Sequence, residues 1–236
     1  MQTFVVEVWG DLACFTRPET KVERFSYPVM TPSAARGVLD AIYAKPEEFG
    51  WRIDRMDVLK PIKFIALRRN EVKEKISANA VKKAMGGGDG PIILCDATQA
   101  MTGSDMAGRT QRQTMALRDV RYRIHAHIHP RPGSEGRLRA LEEQATRRIA
   151  SGKCFYQPYL GCREFVAYFE SATGDTQPVS ESVDIGWMLY DVFDLDQVTL
   201  DVAQPCISIF QAKLDQGILH VPAWDSELVR KPTGRR

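Results

Sequence analysis

The chain has 236 residues, of which 44% are hydrophobic and 26% are charged, and its formal net charge is +2. This composition is ordinary for a soluble globular protein with a hydrophobic core. No run of about 18 apolar residues occurs, so we expect no membrane span. The first apolar stretch is interrupted by the charged Glu7, so we expect no signal peptide.

The small net charge hides an uneven distribution. Residues 109–153 hold 11 Lys or Arg against 4 Asp or Glu, a net of +7, whereas residues 154–228 hold 2 against 12, a net of −10. A basic centre beside an acidic end indicates either a polyanion partner on one side or a solvated charged face. The five cysteines form no CxxC pair, which favours free thiols in a reducing cytoplasm.

The first elements in chain order are a strand at residues 3–9 and a helix that follows Thr31. Thr is a good N-cap, and a proline such as Pro32 is favoured at the first helical position. The apolar stripe of this helix is Ala34, Val38, Ala41 and Ile42. Pro46 requires the helix to end near Tyr43 or Ala44.

The next segments predict a strand at residues 51–67, interrupted at Pro61, and then an irregular insertion. The insertion covers about residues 68–113. Its length, its lysines and arginines and its triple glycine are typical of a mobile loop or thumb.

A long strand is predicted over residues 114–129, because apolar and polar residues alternate with a period of two. Its polar face carries Arg121, Arg123, His125, His127 and His129. Alternate histidines can bind zinc, but no Cys, Asp or Glu stands nearby in the sequence, and the arginines would oppose the charge of a metal. We therefore interpret this face as a surface for a ligand or a partner, without a metal site.

A second helix is predicted over residues 134–150, with Ser134 as its N-cap and a buried stripe of Leu138, Leu141, Ala145 and Ile149. A strand at residues 163–169 follows. The order strand, helix, strand, strand, helix, strand predicts an α+β fold, the ferredoxin-like (RRM-like) βαββαβ unit, over residues 1–170. Residues 171–236 add an acidic β-rich extension.

Four segments carry a resemblance to a known family: "FSYPVMTPSAARGVLDAIYAKP", "RRNEVK", "ALRDVRYRIHA" and, most specifically, "PYLGCREF". Together they resemble the CRISPR-associated Cas5 family of subtype I-C, also called Dvulg, from about Phe4 to Trp224. The resemblance implies a repeat-specific endoribonuclease that cuts precursor crRNA without metal or another cofactor. It also implies that the protein keeps the 5′ end of the product and joins the type I-C interference complex.

The resemblance places the catalytic tyrosine of the family at Tyr43, at the end of the first helix. The family commonly adds a Lys-His pair shortly before an Arg-Arg pair, which is Arg147–Arg148 here. The usual spacing instead leads to Ala140–Leu141. Arg137 or Arg139 would then supply positive charge to the transition state, but an arginine stays protonated and does not move protons.

The predicted RNA contacts combine basic residues with aromatic and glycine positions. Arginines bind phosphates, and unpaired bases stack on aromatic side chains such as Phe155, Tyr156 and Tyr159, although single aromatics more often pack in a core. Gly161 indicates a tight turn where the backbone approaches a ligand or a neighbouring chain. The predicted contact residues are Arg68, Arg69, Arg112, Arg121, Arg123, His125, Arg147, Arg148, Tyr159 and Gly161.

Three functions remain open at this point. The first is a metal-independent endoribonuclease, and the second is a non-catalytic subunit that caps the 5′ end of the guide RNA, which the missing Lys-His pair favours. The third is a metal-dependent hydrolase that uses the histidine strand. The expected partners are CRISPR repeat RNA and other complex subunits. The basic surface also allows double-stranded DNA, although groove-reading motifs are absent.

Overall fold

The structure is a computed structural model. It describes residues 2–20, 22–90, 96–103, 108–197 and 205–232. Two compact units divide the chain: the first comprises Met1–Ile65 and Met115–Arg236, and the second comprises Ala66–Thr114. None of the helices in the described ranges is long and apolar enough to cross a membrane.

The fold is a mixed α/β arrangement that is mostly antiparallel sheet. The strands are β1 (Thr3–Ala13), β2 (Arg24–Phe25), β3 (Phe49–Val58), β4 (Phe64–Val72), β5 (Arg109–Pro130), β6 (Tyr168–Ser171), β7 (Val183–Asp191), β8 (Ser208–Asp215), β9 (Ile218–His220) and β10 (Val229–Arg230). The helices are α1 (Pro32–Ile42), α2 (Ala78–Met85), α3 (Gln99–Thr102) and α4 (Leu138–Ala150), the last preceded by a 3-10 turn at Glu135–Arg137.

The strand β5 lies at the centre of the sheet, between β1 and β3, and pairs antiparallel with both. The order across the sheet is β10-β8-β9-β3-β5-β1-β6, while β2 and β4 pair with β5, and β7 pairs with β8. Residues 109–114 of β5 and residues 66–72 of β4 belong to the second unit, and β5 is longer than the strand predicted over residues 114–129. The alternation of buried Ile124, Ala126 and Ile128 with half-buried His125 and His127 confirms the predicted period of two.

The helix α1 begins and ends as its residues predict. The Thr31 side chain accepts a hydrogen bond from the Ala34 N–H, Pro32 is the first helical residue and Tyr43 is the C-cap. Val38, Ala41 and Ile42 are buried as predicted, whereas Ala34 is only half-buried. Ala35 and Leu39 are buried in addition, because the helix packs against both β3 and β7. The tyrosine is thereby held where the chain leaves the helix and turns towards β3.

The helix α4 begins later than predicted. Leu141, Ala145 and Ile149 are buried as expected, whereas Leu138 is only half-buried at the helix start. Ser134 makes no side-chain capping bond, and a 3-10 turn precedes the regular helix. The chain also enters β6 later than expected. Residues 163–167 are not a strand, because Leu160 and Phe165 pair in a tight turn, and the strand starts at Tyr168.

The second unit contains more regular structure than an irregular insertion. Most of β4 and the first six residues of β5 lie in it, together with α2, whose Ser77 N-cap accepts a hydrogen bond from the Ala80 N–H. None of the residues of α2 is buried. Regular backbone hydrogen bonding, rather than a hydrophobic core, therefore defines this helix.

Candidate active site

A cavity of about 420 Å³ lies where the ends of α1 and α4 meet. It is lined by Tyr43, Lys45, Arg137, Ala140, Leu141, Gln144, Arg147, Arg148 and Phe155. The cavity thus brings together four residues predicted from the sequence. Tyr43 lies about a hundred positions before the other three, which are Arg137, Arg147 and Arg148.

Tyr43 is held rigidly in the wall of this cavity. Its N–H donates to the Leu39 carbonyl at 2.8 Å, and its own carbonyl accepts a hydrogen bond from Trp51 Nε1 at 2.8 Å. Its ring packs on Phe49 with the centroids 5.2 Å apart, and only 3% of the residue is exposed. Burial raises the pKa of Tyr43 above 10.0, although the positive charge of Lys45 opposes the rise. The hydroxyl therefore stays protonated at neutral pH and is suited to donate a hydrogen bond.

Arg148 joins the two helices at the cavity. Its Nε donates to the Ile42 carbonyl at 2.6 Å, and its guanidinium carbon lies 4.1 Å from the centre of the Phe155 ring. In the described part of the chain, Nη1 and Nη2 of this arginine donate no hydrogen bond. The guanidinium thus keeps donors for a phosphate while its position is set by Nε.

The two candidate catalytic arginines occupy different places. Arg137 lines the cavity, and its Nη1 lies 2.8 Å from Glu48 Oε2. Arg139 is 92% exposed at its side chain, is paired with Glu143 one helical turn away and does not line the cavity. Only Arg137 is placed beside Tyr43.

Lys45 is a cavity residue that the sequence did not single out. It lies two positions after Tyr43, and its Nζ is 2.9 Å from Glu48 Oε1. The hydrogen bond from Lys45 and the charge of Arg137 hold the pKa of Glu48 below its ordinary value, against a smaller opposing effect of burial. The only signal in the sequence was the position of this lysine just beyond the helix end. Ala140 and Leu141, the positions of the missing Lys-His pair, line the same cavity and offer no polar side chain there.

Arg121 and Arg123 are engaged in ion pairs on the polar face of the sheet. Glu7 Oε1 accepts from Arg123 Nη2 at 2.7 Å, and Glu7 Oε2 accepts from Arg121 Nε at 2.7 Å. Burial raises the pKa of Glu7, but the hydrogen bonds from the two arginines outweigh it and leave the pKa below 4.5. Arg123 also donates to the Thr176 carbonyl and is only 7% exposed. An RNA phosphate would have to compete with these carboxylates.

The histidines of β5 meet carboxylates from the neighbouring strand β3. His125 Nε2 lies 3.0 Å from Asp57 Oδ2, and His127 Nδ1 lies 3.0 Å from Asp54 Oδ2. Burial raises the pKa of Asp57, but the hydrogen bond from His125 and the charges of Arg55 and Arg123 bring it below 3.8. Within the described residues, no group of three potential metal ligands comes together. The sequence could not show these pairs, because β3 lies about 70 positions away.

Gly161 occupies a tight turn with φ of +83°. A Cβ at this position would lie 2.1 Å from the Cys14 carbonyl oxygen. The tight turn is as predicted, but the backbone that it approaches is Cys14 of the same chain, directly after β1. Tyr159 stands two positions earlier and shares with Gly161 a smaller cavity beside the N-terminal end of α1.

The remaining predicted RNA contacts belong to the second unit. Arg68 is exposed on β4, while Arg69 is half-buried and donates from Nη2 to Thr114 Oγ1 at 3.3 Å. Arg112 is half-buried on the first part of β5. All three residues lie within that unit.

Residues 3–222 match the family described as CRISPR-associated protein (Cas_Cas5). A CRISPR pre-crRNA endoribonuclease Cas5d from Mannheimia succiniciproducens is 40% identical, over 96% of this chain and 97% of that protein. A protein of the same name from Thermus thermophilus is 38% identical, over 94% of this chain and 93% of that protein.

Solved structures agree with this assignment at the level of the fold. A crystal structure of a CRISPR-associated protein covers 97% of this chain and 96% of its own, with a TM-score of 0.62 and 19% identity. A functionally uncharacterized protein from Streptococcus mutans covers 97% of both chains, with a TM-score of 0.59 and 18% identity. The match over nearly the whole sequence shows that the chain belongs to the Cas5 family of CRISPR-associated proteins.

Proposed function

We propose that the protein is an endoribonuclease that cuts the repeat hairpin of precursor crRNA, without metal, in the cavity of Tyr43. The observation that carries the proposal is the meeting of Tyr43 with Lys45, Arg137 and Arg148 in that cavity. The names of the two relatives, which are 40% and 38% identical, support the same activity. A tyrosine hydroxyl beside three cations is suited to an RNA phosphate and its developing charge.

The proposed reaction is an internal transfer at one phosphate. The 2′-hydroxyl attacks the adjacent phosphorus, the bond to the 5′-oxygen breaks, and a 2′,3′-cyclic phosphate and a 5′-hydroxyl end remain. Tyr43 stays protonated, so it donates a hydrogen bond that orients the reacting group, and positioning of this kind supplies much of the rate. The proton of the 2′-hydroxyl passes to water.

The three cations of the cavity have two different roles in the proposed reaction. Arg137 and Arg148 stabilise the negative charge that builds up on the phosphate oxygens. Lys45 carries protons that it can release, unlike an arginine, and it donates one to the departing 5′-oxygen. The lysine thus takes over the proton transfer that the absent Lys-His pair would otherwise perform, since Ala140 and Leu141 cannot do so.

A non-catalytic RNA-capping subunit is the second candidate. The apolar pair Ala140 and Leu141 in the cavity wall favours it, as does the pairing of Arg137 with Glu48. Under this hypothesis the same arginines bind the 5′ end of the guide RNA but do not accelerate cleavage.

One experiment separates the two candidates. The purified full-length protein is incubated with the CRISPR repeat RNA of its own genome in excess EDTA, and the products are sized and their ends identified. We expect a single cut that leaves a cyclic phosphate, and almost none with Tyr43→Phe. Intact RNA that is nevertheless tightly bound would select the capping subunit. Cleavage that stops in EDTA would exclude the metal-independent mechanism.

We further infer that β1, α1, β3, β5, α4 and β6 form the ferredoxin-like unit. Their connectivity is βαββαβ, and the observed order β3-β5-β1-β6 supports the inference. The domain proposal keeps this unit within residues 1–170, with an insertion at about 68–113 and an extension from residue 171. The resemblance in the sequence supports a place in the type I-C interference complex, in the cytoplasm.

Further RNA contacts are proposed outside the cavity, in each unit by itself. Arg147 and Arg148 border the cavity, and Tyr159 and Gly161 lie along α1. The further proposed contacts are Arg68, Arg69, Arg112, Arg121, Arg123 and His125. Double-stranded DNA is an additional proposed partner of the basic surface, through phosphate contacts that do not depend on sequence.

A further inference from the structure

A second cavity adjoins the first, and Phe155 and Lys45 line both. It measures about 400 Å³, within the range of small-molecule sites, about 300–1,000 Å³. Its floor is apolar and includes Phe49, Trp51 and Leu195, and Tyr156 lines it on the side of the loop that follows α4. Because Tyr156 does not line the Tyr43 cavity, it can be altered without changing the wall of that cavity.

Two successive aromatic side chains of this loop face solvent. Phe155 is 58% exposed and Tyr156 is 53% exposed. The Phe155 N–H donates to the Ala41 carbonyl at 2.7 Å, so the loop is fixed to the end of α1. Arg148 lies under the Phe155 ring and adds a second restraint. These rings are thus held in place before any ligand arrives, which lowers the entropic cost of stacking on them.

A carboxylate is fixed in the same cavity wall. Asp40 Oδ2 accepts from Arg36 Nη1 at 2.5 Å, and Arg36 is itself held by Asp191 through Nε at 2.7 Å and Nη2 at 3.0 Å. Within the described residues, Oδ1 of Asp40 takes no hydrogen-bond donor. Burial and the nearby charge of Asp191 raise the pKa of Asp40 above its ordinary value, against the opposing charge and hydrogen bond of Arg36.

We propose that this second cavity binds one unpaired nucleobase, from a nucleotide next to the scissile phosphate, and that Asp40 reads its exocyclic amino group. The proposal rests on the proposed endoribonuclease function and names its base-recognition site. The base would stack against Phe155 and Tyr156, since every nucleobase has a π-face. Oδ1 of Asp40 accepts a hydrogen bond from the amino group of adenine, cytosine or guanine, and uracil has none to offer.

The stacking part is tested by removing the base and the aromatic ring in turn. The probe is the repeat RNA with a 2′-deoxy nucleotide at the mapped cut, so that it binds but is not cleaved. Either flanking nucleotide is then made abasic, and dissociation constants are measured for the wild type and for Tyr156→Leu. The matched control is Tyr168→Leu, which removes an equally exposed aromatic ring, 55% exposed, from β6.

We expect one abasic position to weaken binding to the wild type roughly tenfold, the lower end of stacking effects, and to weaken binding to Tyr156→Leu clearly less, because only Phe155 and Asp40 remain to hold the base. Tyr168→Leu should behave as the wild type. Equal losses in the wild type and in Tyr156→Leu, or no loss at either position, would overturn the base site and leave the endoribonuclease intact. RNA that the wild type does not bind at all would overturn both.

The amino-group part is tested with cytosine and uracil at the position so identified. We expect cytosine to bind the wild type roughly tenfold more tightly, as for a hydrogen bond to a charged acceptor, and the two bases to bind Asp40→Ala equally. Asp40→Ala leaves Arg36 paired with Asp191, and thermal unfolding verifies that the variant is folded. Equal affinities for the two bases in the wild type would overturn the role of Asp40.

Discussion

Arg148 Nε donates a hydrogen bond of 2.6 Å to the carbonyl of Ile42, the residue directly before Tyr43. This bond ties the last turn of α4 to the last turn of α1, so the spacing between the tyrosine and the arginines depends on helix packing. A change at Arg148 would therefore alter both the charge at the cavity and the position of Tyr43, which makes it a poor first choice for assigning roles. The roles in the cavity are better assigned with substitutions that change one property of one residue at a time.

Tyr43→Phe should lower the cleavage rate by roughly 10²-fold, the range for the loss of one positioned hydrogen-bond donor. The ring and its contact with Phe49 remain, so the melting temperature and RNA affinity should barely change. Single-turnover cleavage, filter binding and thermal unfolding measure the three quantities. Cleavage at the wild-type rate would remove Tyr43 from the reaction.

Burial raises the pKa of Tyr43, so the hydroxyl should stay protonated through neutral pH. We therefore compare the single-turnover rate of the wild type with that of Tyr43→Phe between pH 6 and pH 8. The two pH profiles should have the same shape, because the hydroxyl does not titrate in this interval. A titration in that interval which depends on the hydroxyl would mean that Tyr43 acts as a base rather than as a hydrogen-bond donor.

Lys45→Met should slow cleavage by roughly 10²-fold if the lysine protonates the departing 5′-oxygen. The matched control, Lys213→Met, changes an exposed lysine on β8 and should have no effect. The decisive substrate carries sulfur in place of that 5′-oxygen, because a thiolate leaves without protonation. Lys45→Met and wild type should cut it at similar rates, and a persistent defect would contradict the assignment of Lys45 as the acid.

Arg137→Ala and Arg139→Ala form a matched pair, because Arg137 ends the 3-10 turn and Arg139 lies two positions later, at the start of α4. Arg137 lines the Tyr43 cavity and Arg139 does not, so the first change should slow cleavage at least tenfold and the second should leave it unchanged. Single-turnover rates at saturating protein measure both. The reverse order would place the scissile phosphate on the outer face of α4.

Arg123→Ala should destabilise the fold, because it removes a partner from the buried Glu7 and Asp57. Breaking a buried ion pair costs about 3 kcal/mol. Arg118→Ala, an exposed change on the same strand, should stay within about 0.5 kcal/mol. Urea unfolding compares the two variants. A loss of RNA affinity by Arg123→Ala at unchanged stability would instead show that Arg123 acts as an RNA contact alone and not in holding the fold.

Acid should weaken the same network. The pKa of Glu7 is held below 4.5 in the folded protein, so its stabilising effect is complete above that ordinary value and is lost as the pH falls through the lower folded-state pKa. The free energy of unfolding should therefore fall between pH 6 and pH 3, and it should fall less in Glu7→Gln. Parallel decreases in both proteins would show that other carboxylates cause the acid sensitivity.

The sequence by itself determined the elements whose signals are local. Thr31, Pro32 and Pro46 bound α1 and place Tyr43 at its end, because capping and proline geometry act over a few residues. The polar and apolar alternation of β5 and the buried stripe of α4 follow from periodicity alone. The motifs of the family also lie in the sequence and are sufficient to identify it.

Only the tertiary structure decided which charged side chains are paired within the protein and which remain available to a ligand. The sequence presents Arg121 and Arg123 as a basic surface and the histidines as a polar row, whereas packing sets Glu7, Asp54 and Asp57 against them. These partners come from β1 and β3, and strand pairing brings them to β5 from far along the chain. The same holds for Lys45 and Phe155, since their place beside Tyr43 depends on where the end of α4 meets α1. A side chain is free or neutralised according to its neighbours in space, and a sequence records only its neighbours along the chain.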